Sequence, residues 1–115
     1  MKASLSVRVT DSAVEVHVLE AHLTEANVEP VGDRLYQLAD QVAKSTLRLD
    51  FSAVKYLTSS VLGKLISLNK RVKGAGGHFQ VVNLGPEVYE IFKATRLDTF
   101  IDLQPMEAPE PLLAL

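Results

Sequence analysis

Alternating apolar and polar residues open the chain and predict a pair of strands. The alternation runs through residues 5–9, stops at the turn residues Asp11-Ser12, and resumes through residues 14–18. A period of two is typical of a half-buried strand, and two such runs around a short polar turn predict an antiparallel hairpin. The apolar members are Leu5, Val7, Val9, Val14, Val16 and Val18. A further alternating run, residues 46–51, predicts a third strand.

Longer spacings between apolar residues predict two helices around that third strand. The first helix begins near Asn27, and Pro30 is tolerated because it falls in the first turn. Thr24 or Asn27 is expected to cap it. Its apolar stripe, at spacings of three and four, consists of Val28, Val31, Leu35, Leu38 and Val42. The second helix covers about residues 60–73 and ends at Gly74. Its expected buried residues are Val61, Leu62, Leu65, Ile66 and Val72.

The last third of the chain adds a strand, a helix and another strand. Residues 78–84 predict a buried strand, and Pro86 is well placed in the first turn of a third helix. The apolar stripe of this helix consists of Val88, Ile91, Phe92 and Leu97. Residues 99–103 predict a final strand. Residues 104–115 hold three of the five prolines and predict a frayed tail. The leucines of this tail could dock on a neighbour: Leu112, Leu113 and Leu115.

These elements predict one α/β domain over residues 1–103. The predicted order is β-β-α-β-α-β-α-β, an N-terminal antiparallel hairpin followed by alternating strands and helices. Strands that alternate with helices usually pair in parallel through right-handed crossovers. We therefore predict a mixed β-sheet with helices packed against it.

Composition narrows the classes of function. The chain has 115 residues, room for a single domain, and it has no cysteine for a disulfide or a thiolate zinc site. A net charge of −2 provides no field that would attract nucleic acid, and the apolar runs are too short to span a bilayer. Met1-Lys2-Ala3 leads straight into alternating residues, without the apolar core of a signal peptide. We expect a cytoplasmic protein that neither binds nucleic acid nor inserts into a membrane.

Few residues suggest chemistry of their own. The histidines, His17, His22 and His78, lack a second ligand at helical spacing, so structural roles are expected and no metal site is predicted. The glycine-rich loop 74–77 follows a helix and precedes a strand, which is the reverse of a phosphate-binding loop. No cofactor is therefore predicted. Because nothing in the sequence pairs a serine with a base, we also expect a protein that is not an enzyme.

Three consecutive hydroxyl residues, Thr58, Ser59 and Ser60, stand out where the second helix begins. Capping by Thr58 or Ser59 explains one of them, since a side-chain oxygen that accepts from a free helix N–H is worth ~1 kcal/mol. The other hydroxyls at this loop tip are free for modification or contact. A phosphate there would be favoured by the helix dipole.

This segment resembles the STAS domain family, which includes bacterial anti-sigma factor antagonists. The family pairs a strand ending in Leu-Asp-Leu/Phe-Ser with an Asp-Ser-Ser-Gly-Leu-Gly helix start, and the matching stretches here are residues 49–52 and 58–63. The likeness covers about residues 4–103 and implies the STAS fold. Its further matches are Leu23, Asn27 and residues 74–77, 81–84 and 86–97.

The resemblance also implies a site. Ser59 falls at the position of the phosphorylated serine, and Thr58 is an additional acceptor candidate. The implied partner-binding residues are His22, Thr24, Thr58, Ser59 and Ser60. The sequence departs from the family where Thr58 replaces an aspartate and Val61 a glycine. In addition, Ala21 stands where a glycine is common and Thr24 where an acid is common, so the surface presented to a kinase is expected to lose acidic charge.

Two functions follow from the resemblance. The first is a phosphorylation-switchable binding module that sequesters an anti-sigma factor serine kinase and so releases a sigma factor. The alternative is a STAS subunit of a stress-sensing complex, or a partner of the ATPase of a lipid-transporting ABC transporter, without a phosphorylation switch. An enzyme acting through Ser59 is a third class, and formation of a homodimer is left open.

Overall fold

A five-stranded sheet organises the protein, which a computed structural model describes over residues 5–41 and 44–106. The elements in chain order are β1 (Leu5–Val9), β2 (Ala13–Val18), β3 (His22–Leu23), α1 (Val28–Gln41), β4 (Thr46–Asp50), β5 (Tyr56–Leu57), α2 (Ser59–Gly74), β6 (His78–Leu84), α3 (Pro86–Ala94), a 3₁₀ turn (Leu97–Thr99) and β7 (Asp102–Pro105).

The sheet has the mixed topology that the sequence predicts. Its spatial order is β1-β2-β4-β6-β7. Only β1 and β2 pair antiparallel, while β2–β4, β4–β6 and β6–β7 are parallel pairs. Each parallel pair needs a crossover, and the helices α1, α2 and α3 supply the three crossovers in turn. The predicted hairpin and the predicted mixed α/β sheet are thereby confirmed.

One face of the sheet is apolar because alternate strand residues point towards the helices. Val16, Leu49 and Val81 lie side by side across the three central strands and are fully buried. The helices add Leu35, Leu65 and Phe92 to the same hydrophobic core, one from each of α1, α2 and α3. Apolar burial of this kind is the main stabilising contribution to the fold.

The opposite face of the sheet carries a ladder of polar side chains. Arg48 donates to Glu15 and to Gln80, with N–O distances of 2.7 Å in both cases. Gln80 and His78 both contact Asp102 Oδ2, at 3.0 and 2.8 Å. These side chains are hydrogen-bonded to one another, which explains how the polar Gln80 can be buried at only 8% exposure. The contact with Asp102 gives His78 the structural role predicted for it.

Several local predictions differ from the structure. The two-residue strands β3 and β5 fall in segments predicted as loops. Leu97 does not belong to the third helix, because α3 ends at Ala94 and Arg96 adopts a left-handed φ of 62° before the 3₁₀ turn. The last strand covers Asp102–Pro105 instead of residues 99–103.

The burial predictions also need adjustment. In α2, Ile66 is half-buried, while Leu68 and Asn69, which were not predicted, are buried. Val9 is 72% exposed at the end of the edge strand β1. The tail prediction is wrong for residues 104–105, which belong to β7. Residues 107–115 and Val42 lie outside the described residues.

The glycine-rich turn that follows α2 is confirmed, and it is tight. Gly76 has a φ of +83°, a left-handed conformation that favours glycine. The Gly77 N–H donates to Val72 O at 2.9 Å, and a Cβ added to Gly77 would lie 2.5 Å from Ser45 O. The turn therefore requires at least these two glycines.

Candidate modification and docking site

Two short parallel strands hold the candidate site together. In the β3–β5 pair, His22 lies opposite Tyr56 and Leu23 opposite Leu57. The Thr58 N–H donates to Leu23 O at 3.1 Å, which extends the pairing to the start of α2. Leu23 and Leu57 are buried, so they anchor the two loops to the core. The predicted residues His22, Thr58, Ser59 and Ser60 are consequently brought to one end of the molecule.

Thr58 does not cap α2 with its side chain, although it occupies the capping position. Its carbonyl oxygen accepts from the Val61 and Leu62 N–H groups at 3.0 and 3.3 Å, but its hydroxyl makes no capping bond. Among the described residues, Thr58 Oγ1 is one of two buried side-chain polar atoms without a hydrogen-bond partner. Ser59 is already the first residue of the helix. The predicted capping by a hydroxyl side chain is therefore wrong.

The two serines are exposed but differ in their contacts. Ser60 Oγ donates to Glu25 Oε2 at 2.8 Å. Across the described ranges, the Ser59 hydroxyl makes no hydrogen bond to another side chain or to the backbone, and it faces solvent on the first turn of α2. Of the three hydroxyls, that of Ser59 is thus exposed and without a hydrogen bond to the described residues.

Glu25 is a site residue that the sequence reasoning missed. Its carboxylate lies beside Ser60, one position after Thr24, so the loop before α1 still brings an acid to the site. The pKa of the Glu25 carboxyl lies below its ordinary value, first because its own backbone amide donates to it and then because Ser60 does. The expected loss of acidic charge is therefore only partial.

The loop before α1 is shaped by its own side chains. Asn27 Oδ1 accepts from the Thr24 N–H at 2.9 Å, while Asn27 Nδ2 donates to His22 O at 2.8 Å. Thr24 Oγ1 accepts from the Ala26 N–H at 3.1 Å. The expected capping residues thus close the turn that leads into α1. Thr24 is half-buried and its hydroxyl is occupied, so it presents less to a partner than His22 does.

Exposed aromatic surface borders the hydroxyls. The rings of His22 and Tyr56 meet edge to face with centroids 6.2 Å apart, and Tyr56 is 51% exposed. Tyrosine is enriched at protein interfaces, because it offers a rigid apolar ring with a polar end. The site therefore combines an aromatic pair, an acid and a free hydroxyl.

A serine–histidine pair does occur elsewhere, next to Asp50. His17 Nε2 lies 3.0 Å from Ser52 Oγ and 3.8 Å from Asp50 Oδ1. In a catalytic triad the acid orients the imidazole through its other nitrogen, which this geometry does not provide. Burial raises the pKa of Asp50, but hydrogen bonds from Ser52 and Asn83 outweigh burial and lower it. We interpret this group as a structural network, with His17 hydrogen-bonded as predicted.

Within residues 5–41 and 44–106, no three histidine, aspartate or glutamate side chains are grouped so that they could hold a metal ion. Over the same ranges, no helix is both long and apolar enough to cross a membrane.

Replacing Ser60 with alanine should raise the pKa of Glu25 towards its ordinary value, because the carboxylate loses a donor. A lowered pKa in the folded state gives stability that is present above the unfolded pKa and lost as the pH falls through the folded pKa. Ser60→Ala should therefore weaken this acid dependence. An NMR titration of the Glu25 carboxyl measures the shift, with Ser67→Ala, an exposed serine of the same helix, as control. An unchanged pKa in Ser60→Ala would show that the hydrogen bond does not persist in solution.

Comparison with known proteins identifies the class. The STAS domain model matches residues 4–108, so the chain belongs to the STAS domain family. Domains of this family interact with partners such as kinases or form part of transporters, and those of the anti-sigma antagonist type are generally not enzymes. Comparison with curated proteins finds no match.

Solved structures share the fold along nearly the whole chain. An anti-sigma-factor antagonist (STAS) domain protein from Planctomyces limnophilus has a TM-score of 0.81 at 18% identity, over 90% of this chain and 91% of that chain. The phosphorylated form of the Bacillus cell fate determinant SpoIIAA has a TM-score of 0.65 at 19% identity, over 86% and 89%. The murine solute carrier 26 member A9 anion transporter has a TM-score of 0.67 at 18% identity, over 92% of this chain and 21% of the transporter.

Proposed function

We propose that this chain is a cytoplasmic protein-binding module of the anti-sigma antagonist type, switched by phosphorylation of Ser59. The observation that carries the proposal is the difference among the three hydroxyls. Thr58 Oγ1 is buried, Ser60 Oγ is bonded to Glu25, and Ser59 is exposed at the first turn of α2. Ser59 is thus the hydroxyl that an incoming phosphate donor reaches without breaking a contact.

The position of Ser59 suits a reversible negative charge. The first turn of a helix presents unpaired N–H groups and the positive end of the helix dipole. A phosphoserine adds about −1.5 to −2 charges, which this end of α2 tolerates. Within the described residues, Ser60 is hydrogen-bonded to Glu25 and not to a histidine base, and we assign the chemistry of phosphate transfer to the partner.

The proposed partner is an anti-sigma factor serine kinase. The unmodified surface, formed by His22, Glu25, Tyr56 and Ser59, docks on the kinase and keeps it from its sigma factor. Phosphorylation by that kinase then ends the interaction. Support comes from the shared fold with SpoIIAA, a protein whose structure is known in a phosphorylated form.

Phosphate transfer in a purified system tests the proposal. The protein is mixed with ATP and each cognate candidate kinase, and its intact mass is measured. We expect one phosphate on the parent, on Thr58→Val and on Ser60→Ala, and none on Ser59→Ala. Absence of phosphate with every candidate, or its persistence in Ser59→Ala, would contradict the proposal.

The character of Thr58, the residue before Ser59, supports a second candidate function. Thr58 stands where antagonists have an aspartate, and its hydroxyl is buried instead of presenting a charge. This favours a binding subunit without a switch, in a stress-sensing complex or beside a transporter ATPase. Affinity capture from the native host separates the two functions, since a large scaffold or an ATPase would support the second and a small kinase the first.

A further inference from the structure

A groove between α2 and the 3₁₀ turn is unrelated to the site at Ser59. It is an open concavity of about 450 Å³ lined by Ile66, Asn69, Lys70, Lys73, Leu97 and Phe100. Lys70 lies 11 residues after Ser59, or roughly 16 Å along the axis of α2. Phe100 is 62% exposed, and Lys70 has no ion-pair partner within the described ranges. The groove therefore offers an apolar floor with cations at its edge.

One residue that lines the groove also holds a buried polar atom that lacks a partner. Asn69 is only 6% exposed, and its Nδ2 donates to Phe100 O at 3.2 Å. Asn69 Oδ1 is buried, and no group in residues 5–41 and 44–106 donates a hydrogen bond to it. Buried acceptors nearly always have a donor.

We propose that this groove is the docking site of the chain's own C-terminal segment, residues 107–115. The segment has the complementary chemistry. Leu112, Leu113 and Leu115 match the apolar floor around Phe100, and Glu110 is placed next to the leucines, where it can pair with Lys70 or Lys73. The docked segment covers apolar surface that Phe100 otherwise exposes to water.

The length of the segment permits this docking. Met106 is fixed to the sheet because its N–H donates to Leu84 O at 2.7 Å. Phe100 precedes Met106 by six residues, so the two are at most ~20 Å apart at 3.3–3.6 Å per residue. Residues 107–112, another six, span the same distance back. Because this span is an upper limit, the leucines from Leu112 onward can reach the groove, and at a shorter separation Glu110 can reach its edge as well.

A single spin label tests the docking. The protein has no cysteine, so Ala114→Cys creates one attachment point for a nitroxide. In the amide NMR spectrum we expect the signals of Ile66, Lys70 and Phe100 to lose at least half of their intensity. The signals of Glu25 and Ser59, which lie farther from the groove, should lose much less intensity. Broadening that is absent, evenly spread or confined to another face would overturn the proposal.

Charge-reversed variants and a mixture of two differently labelled chains distinguish docking within one chain from docking on a second copy. Glu110→Lys should reduce the broadening by at least half, and combining it with Lys70→Glu and Lys73→Glu should restore it. Lys93→Glu, a reversal on α3 outside the groove, should have no effect. If Glu110→Lys and Lys93→Glu change the broadening equally, the proposal is overturned. Broadening in an isotope-labelled chain mixed with a separate spin-labelled chain would also overturn it, because the segment would then dock on a second copy.

Discussion

Ser59→Asp should weaken partner binding by about a hundredfold or more while leaving the protein folded. An anion buried in an interface without a matching cation costs several kcal/mol, and each 1.4 kcal/mol corresponds to about tenfold in affinity. In the unbound protein the same anion sits at the start of α2, where it stabilises by about 0.3–1 kcal/mol. Binding and thermal stability should therefore change in opposite directions. The measurements are a Kd for the identified partner and a Tm.

Ser67→Asp is the matched control for this prediction. Ser67 is exposed on α2 but lies more than two turns from the helix start. A charge there should leave the Kd unchanged, and it should not change the Tm through the helix dipole, whose effect is limited to the first and last turns. Ser59→Ala should bind like the parent, because it adds no charge. If Ser59→Asp binds as tightly as Ser67→Asp, Ser59 is outside the interface. If Ser59→Asp unfolds the protein, the exposed position described for Ser59 is wrong.

Gly77→Ala should cause the largest loss of stability among the glycine substitutions. The new Cβ would lie 2.5 Å from Ser45 O and 3.2 Å from Val72 Cγ1. Ser45 O cannot retreat freely, because it accepts from the His78 N–H at 3.0 Å and so ties the start of β6 to the segment before β4. Overpacking of this kind costs about 1–3 kcal/mol, which corresponds to a Tm lower by roughly 5–15 °C.

Gly74→Ala provides the control from the same turn. A Cβ at Gly74 meets nothing within 4 Å, and its φ is not positive. Gly74 ends α2, where alanine is favoured over glycine by up to ~1 kcal/mol. In denaturant unfolding, the free energy of unfolding should therefore fall in Gly77→Ala and rise in Gly74→Ala, each relative to the parent. A Gly77→Ala protein as stable as Gly74→Ala would show that the chain relieves the contact with Ser45 by shifting.

The strands and helices with a sustained period were predictable from the sequence. The hairpin of β1 and β2 was recognised because five or six alternating residues define a face. β3 and β5 have two residues each, which is too few to show any period. Leu97 follows Phe92 by five residues, which departs from the three-to-four spacing of a helical stripe, and the left-handed Arg96 separates it from α3. Arginine gives no local signal for that conformation.

The candidate site was predictable only in part. The sequence shows the hydroxyl triplet because its members are adjacent, and the STAS resemblance implies a role for Ser59. Glu25 was missed because its contact with Ser60 crosses 35 residues and depends on the register of β3 against β5. The capping error has a similar cause, since whether Thr58 Oγ1 faces the helix N–H groups depends on packing that the local sequence does not encode.

The pairing of β3 with β5 also bears on the order in which the protein folds. It joins His22 to Tyr56 across the whole of α1 and β4, so the chain must close a long loop before this contact is gained. The β1–β2 hairpin and the individual helices form from near neighbours and need no such closure. Glu25 and Ser60 therefore meet only in a chain in which this closure has taken place. A partner that contacts both loops at once would consequently discriminate between finished molecules and nascent or damaged chains.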